Sequence, residues 1–262
     1  MSFNAKYLPL SEEGEKVMIF VTGDTHCSEI SKLNRKRFPI SKNLTKDDYV
    51  IVCGDFGLFD DKESEYYVKW WNSKNFTTLF VDGNHENHAF LDSYEVSEFH
   101  GAQVHRLASS VYHVMRGEII TLDDKTFFCF GGARSHDISD GILQMTHDWR
   151  RRYNKLCRKG KMVRVEGYDW WDRELQSSEE RKRALENLAK YDNKVDYIIT
   201  HDCAYSSLNE VAIDTSHDIC VDFLEEIKHL VDFKHWYFGH HHIDYTVNSK
   251  ETCLYNSVLE VK

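Results

Sequence analysis

Six short apolar runs in this chain stop abruptly on glycine, acidic and histidine residues. They are VMIFVTGDTH (17–26), YVIVCGDFG (49–57), TLFVDGNHE (78–86), TFFCFGGARSHD (126–137), DYIITHD (196–202) and WYFGHHH (236–242). Runs of ~5 apolar residues bounded by glycine and polar residues read as buried strands that pass into loops. Helical patterns separate several of them. DKESEYYVKWWNSK (61–74) spaces its apolar residues at helical intervals, and DICVDFLEEIKHLVDF (218–233) is amphipathic. SSEERKRALENLAKYD (177–192) opens on Ser177 and Glu180 in the spacing of a capping box.

Residues 111–130, VYHVMRGEIITLDDKTFFCF, read instead as adjacent antiparallel strands, and so does the tail after 243. Helix-linked strands combined with antiparallel strands predict a mixed α/β sandwich. In such sheets, sites form beyond the carboxyl ends of strands. No low-complexity tract or Gly/Ser linker breaks the 262 residues, so one domain over 1–262 is expected. A lid or insert around 134–176 is the alternative reading of the middle of the chain.

Charge and cysteine usage narrow the setting. A net charge of −10 offers no general basic surface to nucleic acid or an anionic membrane. No apolar run approaches the ~20 residues of a membrane span, so no membrane partner is expected. The seven cysteines, at 27, 53, 129, 157, 203, 220 and 253, form no C-x-x-C pair. That argues against a disulfide framework and a cysteine zinc ribbon. The opening MSFNAKYLPLSEEGEK lacks the apolar core of a secretory signal. A reduced, cytoplasmic location is the expectation.

The chemistry sits at the strand ends: Asp24 and His26, Asp55, Asn84 and His85, His201, and His240, His241 and His242. These are good ligands for hard-to-borderline divalent metals. Packed together without a metal they would be costly to desolvate. Taken singly, a Gly-Asp after a strand is usually a turn and a histidine there is ordinarily packed or solvated. Five such loops together are another matter. In extended chain, residues i and i+2 share a side. Asp24 and His26 are therefore expected to face one way, and so are His240 and His242, with His241 turned off. Asn84 and His85, being adjacent, should diverge, one toward metal and the other toward substrate.

The ordered series Asp24-x-His26, Gly54-Asp55, Gly83-Asn84-His85-Glu86, His201 and Gly239-His240-x-His242 resembles the calcineurin-like metallophosphoesterases, whose pattern is D-x-H, G-D, G-N-H-[DE], H and G-H-x-H. The match spans 23–242. GGARSHDISDGIL (131–143) and DWWDRE (169–174) are similar to segments of small bacterial and phage-encoded members. The chain departs from the phosphoprotein-phosphatase branch. No glycine follows His26, no Asp-Arg-Gly follows Asp55, and Val81-Asp82 stands where that branch has Leu-Arg.

The resemblance implies a four-layer α-β-β-α sandwich of two mixed sheets flanked by helices, with a dinuclear centre between the sheet ends. Asp24, His26 and His242 would hold one ion, Asn84, His201 and His240 the other, and Asp55 both. His85 would be the catalytic, non-ligating histidine. Two divalent ions ~3.5–4 Å apart can share a hydroxide that attacks phosphorus in line. The expected activity is hydrolysis of phosphomonoesters or phosphodiesters with two divalent ions, manganese first and iron, zinc, cobalt or nickel as alternatives. A nuclease or cyclic-nucleotide phosphodiesterase is the second reading and a protein phosphatase the third. A non-catalytic scaffold is disfavoured because no ligand position is lost.

Several further residues carry two readings each. Arg134 and His136 are candidates for substrate contact or ordinary loop residues. Asp82 either orients His85 or caps a turn, and Asp202 either supports His201 or caps a helix. The basic run 149–164, WRRRYNKLCRKGKMVR, is a solvated helix face or a lid and guide for a polyanionic substrate. Trp170 and Trp171 are packing residues, with a base-stacking platform as the minority reading. Cys27 and Cys203 are expected to be buried thiols outside the ligand set.

Overall fold

The structure, a computed structural model, describes residues 16–27, 30–59, 62–212 and 214–262. Most of the opening stretch read for a secretory signal, residues 1–15, lies outside the described residues. The first half runs through β1 (Ile19–Thr22), β2 (Tyr49–Cys53), β3 (Thr77–Val81), β4 (Val96–Phe99), β5 (Ala102–Ala108) and β6 (Val111–Val114). There follow β7 (Glu118–Leu122), β8 (Lys125–Phe130), β9 (Ile142–Leu143), β10 (Arg164–Val165) and β11 (Tyr197–Thr200). The chain closes with β12 (His235–Phe238), β13 (Tyr245–Asn248), β14 (Glu251–Cys253) and β15 (Val258–Glu260). The α-helices are α1 (Lys62–Asn72), α2 (His88–Leu91), α3 (Trp149–Cys157), α4 (Ser178–Lys190), α5 (Tyr205–Val211) and α6 (Ile219–Leu230).

Two mixed sheets result. One has the order β15-β1-β2-β3-β6-β5-β4 and the other β13-β14-β12-β11-β8-β7. The alternation of side chains along each strand explains the layering. In β2, Tyr49, Ile51 and Cys53 enter the core between the sheets, where Phe127, Cys129, Tyr197 and Ile199 meet them. Val50 and Val52 point the other way, into a cluster with Val68 and Trp71 of α1. On the far side, Phe128, Phe130, Ile198 and Trp236 pack against Ala184 and Leu188 of α4 and Leu224 and Ile227 of α6. Both faces of the central strands are buried, which is why their sequences are unbroken apolar runs rather than alternating ones. Each such side chain contributes about 1.5–3 kcal/mol of burial.

The helix starts follow their local chemistry. Ser177 accepts from the Glu180 N–H while the Glu180 side chain accepts from the Ser177 N–H, a complete capping box. Asp218 accepts from the N–H groups of Cys220 and Val221 at the start of α6. Among the described residues no helix is long and apolar enough to cross a membrane. All seven cysteines are free, and only Cys157 is exposed.

Two strand expectations need correcting. In the tail, β13 and β14 pair antiparallel as expected, but β15 leaves for the first sheet, against β1. Residues 111–130 do not form one antiparallel set. β6 belongs to the first sheet, parallel to β3 and antiparallel to β5. Only β7 and β8 make the expected hairpin, in the second sheet. The chain changes sheets at 115–117, around the buried Arg116. A period of two identifies strands but not which sheet they join.

Candidate metal centre

Five loops leave the carboxyl ends of β1, β2, β3, β11 and β12 and bring their polar residues together. Asp24, His26, Asp55 and His242 each present one donor atom, all within 4.8 Å of one another. The Nε2 atoms of His26 and His242 stand 3.1 Å apart. Asp24 Oδ2 lies 3.1 Å from His242 Nε2, and Asp55 Oδ2 lies 3.8 Å from His26 Nε2. The other Asp55 oxygen faces a second group. His201 Nε2 is 3.2 Å from Asp55 Oδ1 and 3.1 Å from Asn84 Oδ1. The His240 ring lies 4.8 Å from the His201 ring, centroid to centroid. Asp55, almost fully buried, is thus common to both groups.

The donor set fits divalent cations. His201 Nδ1 lies 2.9 Å from the Cys53 carbonyl, to which it donates, so in the neutral ring Nε2 offers a lone pair beside two oxygens. Only positive charge at that point, proton or metal ion, satisfies all three atoms. The electrostatics agree. Burial opposes charge on the His201 ring, yet Asp55 and Asp24 push it up to about 10. Burial also opposes charge on Asp55, but His201 and His85 hold its carboxyl well below the usual range. Among the described residues, the buried His240 Nε2 and Asp24 Oδ2 find no hydrogen bond. Buried polar atoms are normally satisfied, and a cation beside each, one in either group, would satisfy them.

The backbone is bent to serve this geometry. His26, Asp55, His240 and His242 have φ of 40°, 45°, 68° and 53°, in the left-handed region that non-glycine residues rarely adopt. The expected extended alternation therefore does not exist here. His241 is indeed directed apart from its neighbours, but the cause is the turn after β12. Its Nε2 lies 3.1 Å from Asp202 Oδ1 and 3.7 Å from Cys203 Sγ. Asp24 to His26 is also a turn, tied down where the Asp55 carbonyl accepts from the N–H groups of Thr25 (3.0 Å) and His26 (2.8 Å). Gly83 and Gly239 are required by close approach: a Cβ there would stand 2.0 Å from Asp55 Oδ1 and 2.2 Å from Asp24 Oδ1, respectively.

His85 diverges from Asn84 as expected. Its backbone N–H donates to Asp55 Oδ1 at 2.8 Å, and its side chain lines the cleft beside the cluster. Burial lowers its pKa, with Asp55 acting against that shift. His136 lines the same cleft, its ring 4.6 Å from that of His240. Arg134 lines a smaller adjoining cavity with Asp202, Asp214 and Asp218.

Both readings of Asp82 give way to a third. Its buried carboxylate accepts from Arg116 Nε (2.9 Å) and Nη2 (2.6 Å) and lies 3.1 Å from His113 Nε2. Asp202 supports His241 rather than His201. Cys27 and Cys203 are buried, and burial pushes the Cys203 thiol well up. Trp171 packs against Phe59, ring centroids 5.7 Å apart.

Three supporting groups have roles that the sequence reading leaves unassigned. Glu86, fully buried, accepts from the backbone N–H groups of Phe56, Gly57 and Leu58 and so holds the loop that carries Asp55. Asn84 Nδ2 donates to Ser135 Oγ (3.1 Å), which donates to Glu174 (2.5 Å), so the amide oxygen is left facing His201. Tyr255 stacks on the His242 ring at 4.7 Å. Glu86 closes the Gly83-Asn84-His85-Glu86 motif, which marks its position but not its partners. Ser135 and Glu174 carry no such signal, because they are far from Asn84 in sequence.

A family model, calcineurin-like phosphoesterase, matches residues 17–244. The chain belongs to that family. It is accordingly a metal-dependent hydrolase of phosphoester bonds, in a family that works with two metal ions. No curated protein matches the chain in sequence. Among solved structures, a phosphopantetheinyl hydrolase from Mycobacterium tuberculosis aligns over 92% of this chain and 89% of its own, with 13% identity and a TM-score of 0.44.

Proposed function

We propose that this calcineurin-like phosphoesterase hydrolyses phosphomonoesters or phosphodiesters at a dinuclear centre, with manganese as the preferred metal. Asp24, His26 and His242 would hold one ion and Asn84, His201 and His240 the other. Asp55 would serve both. The convergence of these donors on the two sides of Asp55 is the observation that carries the reading. Bound there, two divalent ions supply Lewis-acid polarisation of the phosphoryl oxygens and activation of water.

The chain's own groups do the rest. His201 is held in one tautomer by the Cys53 carbonyl, and Asn84 in one amide orientation by Ser135 and Glu174. Such outer partners fix a ligand's direction before metal or substrate arrives. His85, anchored through its N–H on Asp55, presents its ring to the cleft. From there it donates a proton or a hydrogen bond to the leaving oxygen.

Removal of metal tests the reading directly. After dialysis against a chelator, turnover of p-nitrophenyl phosphate should vanish, and added Mn²⁺ should restore it. The melting temperature should fall on chelation and recover with the ion, because ligand bound only by the folded state stabilises it. Full turnover in protein verified to be metal-free would sink the proposal.

The histidine triplet gives a second test. His240→Ala and His242→Ala should each lose one ion and most of the activity. His241→Ala removes a partner of Asp202 and Cys203 and should cost far less. Metal content and initial rates of the three purified variants decide this. Equal metal loss in all three would show that the direction of His241 does not matter.

A further inference from the structure

The cavity beside the ligand cluster has a volume of about 420 Å³, within the range of small-molecule sites. Beyond the proposed ligands, His85 and His241, its described walls are His136, Asp137, Met162, Val211, Ala212 and Asp214. No Lys or Arg is among the described lining residues. Of the nearby cations, Arg134 lines the adjoining cavity rather than this one, and Arg164 is committed elsewhere. Its Nε donates to Asp137 Oδ2 at 2.8 Å, Nη2 donates to the same oxygen, and Nη1 reaches Asp169 at 3.4 Å.

The basic run 149–164 does not change this picture. Half of its positive side chains stand on α3, which buries none of its residues, and none of them lines the cleft. Arg151 reaches Asp148 at 3.6 Å, and Arg150 covers the Trp149 ring at 4.8 Å. Of that run, the residue that lines the cleft is Met162, a thioether 54% exposed. The cleft therefore faces its occupant with apolar side chains, histidines and carboxylates, while the run's cations do not line it.

We propose that the cleft selects small phosphate esters whose leaving group is apolar and uncharged, seated on Met162, Val211 and Ala212. Asp214 disfavours leaving groups that bring further negative charge, as nucleotides and oligonucleotides do; the charge of Asp137 is matched by Arg164. The inference rests on the phosphoesterase reading and names its substrate class. Its physical basis is simple. Apolar area removed from water favours the first kind of leaving group, and like charge in a partly dry cleft opposes the second.

The test uses the Mn²⁺-loaded full chain and four aryl phosphates, with 4-methyl, 4-butyl, 4-carbamoyl or 4-carboxylate substituents, plus a thymidine decanucleotide. In the wild type, kcat/KM for 4-butylphenyl phosphate should exceed that for the 4-methyl ester about fivefold or more, as extra methylenes meet an apolar wall. The 4-carboxylate ester should trail the 4-carbamoyl ester by roughly tenfold, the scale of a partly screened like charge.

Leaving groups also differ in intrinsic reactivity, and comparing variants cancels that difference. Met162→Lys and Asp214→Asn should each raise the carboxylate-to-carbamoyl ratio, and Met162→Lys should also shrink the butyl preference. Ratios unchanged by both substitutions, or no butyl preference in the wild type, would overturn the inference while leaving the phosphoesterase reading intact. Faster hydrolysis of the decanucleotide than of any aryl ester would overturn it in favour of a nuclease. Absence of any Mn²⁺-dependent hydrolysis would overturn both.

Discussion

Asp55→Asn should reduce turnover by on the order of 10³-fold or more, the scale associated with losing a principal charge-stabilising group in an active site. The carboxylate is almost fully buried and is placed between the two donor groups, with Oδ1 3.2 Å from His201 Nε2 and Oδ2 3.8 Å from His26 Nε2. The amide has nearly the same shape but no charge, and one of its two ends carries hydrogens. Whichever way it turns, it presents donors to atoms that are themselves ligands. Metal content should fall below two ions per chain, and the Mn²⁺ needed to reach half-maximal rate should rise steeply. The fold should survive, because the substitution is isosteric and the Asp55 carbonyl still accepts from Thr25 and His26. A variant that retained two tightly bound ions at wild-type rate would remove Asp55 from the centre of the scheme.

His85→Ala should behave differently. It should keep both ions and its folded state, because the Asp55 contact is made by the backbone N–H rather than by the ring. Its rate should fall by on the order of 10²–10⁴, the range for loss of a general acid. The loss should depend on what leaves. A p-nitrophenolate is stable without a proton, whereas an alkoxide is strongly basic, so an alkyl phosphate should suffer more than p-nitrophenyl phosphate. Equal losses on both would assign His85 to stabilising charge rather than moving a proton. Loss of a metal ion would place His85 among the ligands and undo the assignment of the Asn84-His85 pair.

The sequence made much of this legible because the relevant features are local. Apolar runs of strand length ending in Gly-Asp, Gly-Asn-His or Gly-His define both the strands and the positions of the polar residues at their ends. The capping box at Ser177 and Glu180 is likewise contained within four residues. What stayed hidden depends on contacts across the chain. The switch of sheets at 115–117 is invisible to a pattern that only alternates. The arm from Asn84 through Ser135 to Glu174 joins three segments with no shared motif. The direction of His241 was anticipated from an extended backbone that is absent, since His240 and His242 both adopt positive φ. Asp82 was read from its neighbour His85, but its partners His113 and Arg116 lie on the far side of β4 and β5 in sequence.

The left-handed backbone at His26, Asp55, His240 and His242 bears on how such a protein can be improved. A non-glycine residue pays roughly 1–2 kcal/mol to sit there, and a whole domain is stable by only about 5–15 kcal/mol. Selection for thermal robustness alone would therefore erode these positions toward glycine or asparagine, and screening for melting temperature without metal would reward inactive chains. His242, whose side chain is half exposed, makes the conflict measurable. His242→Gly should melt higher than wild type in chelator and lower in Mn²⁺, so durability and catalysis pull this residue in opposite directions.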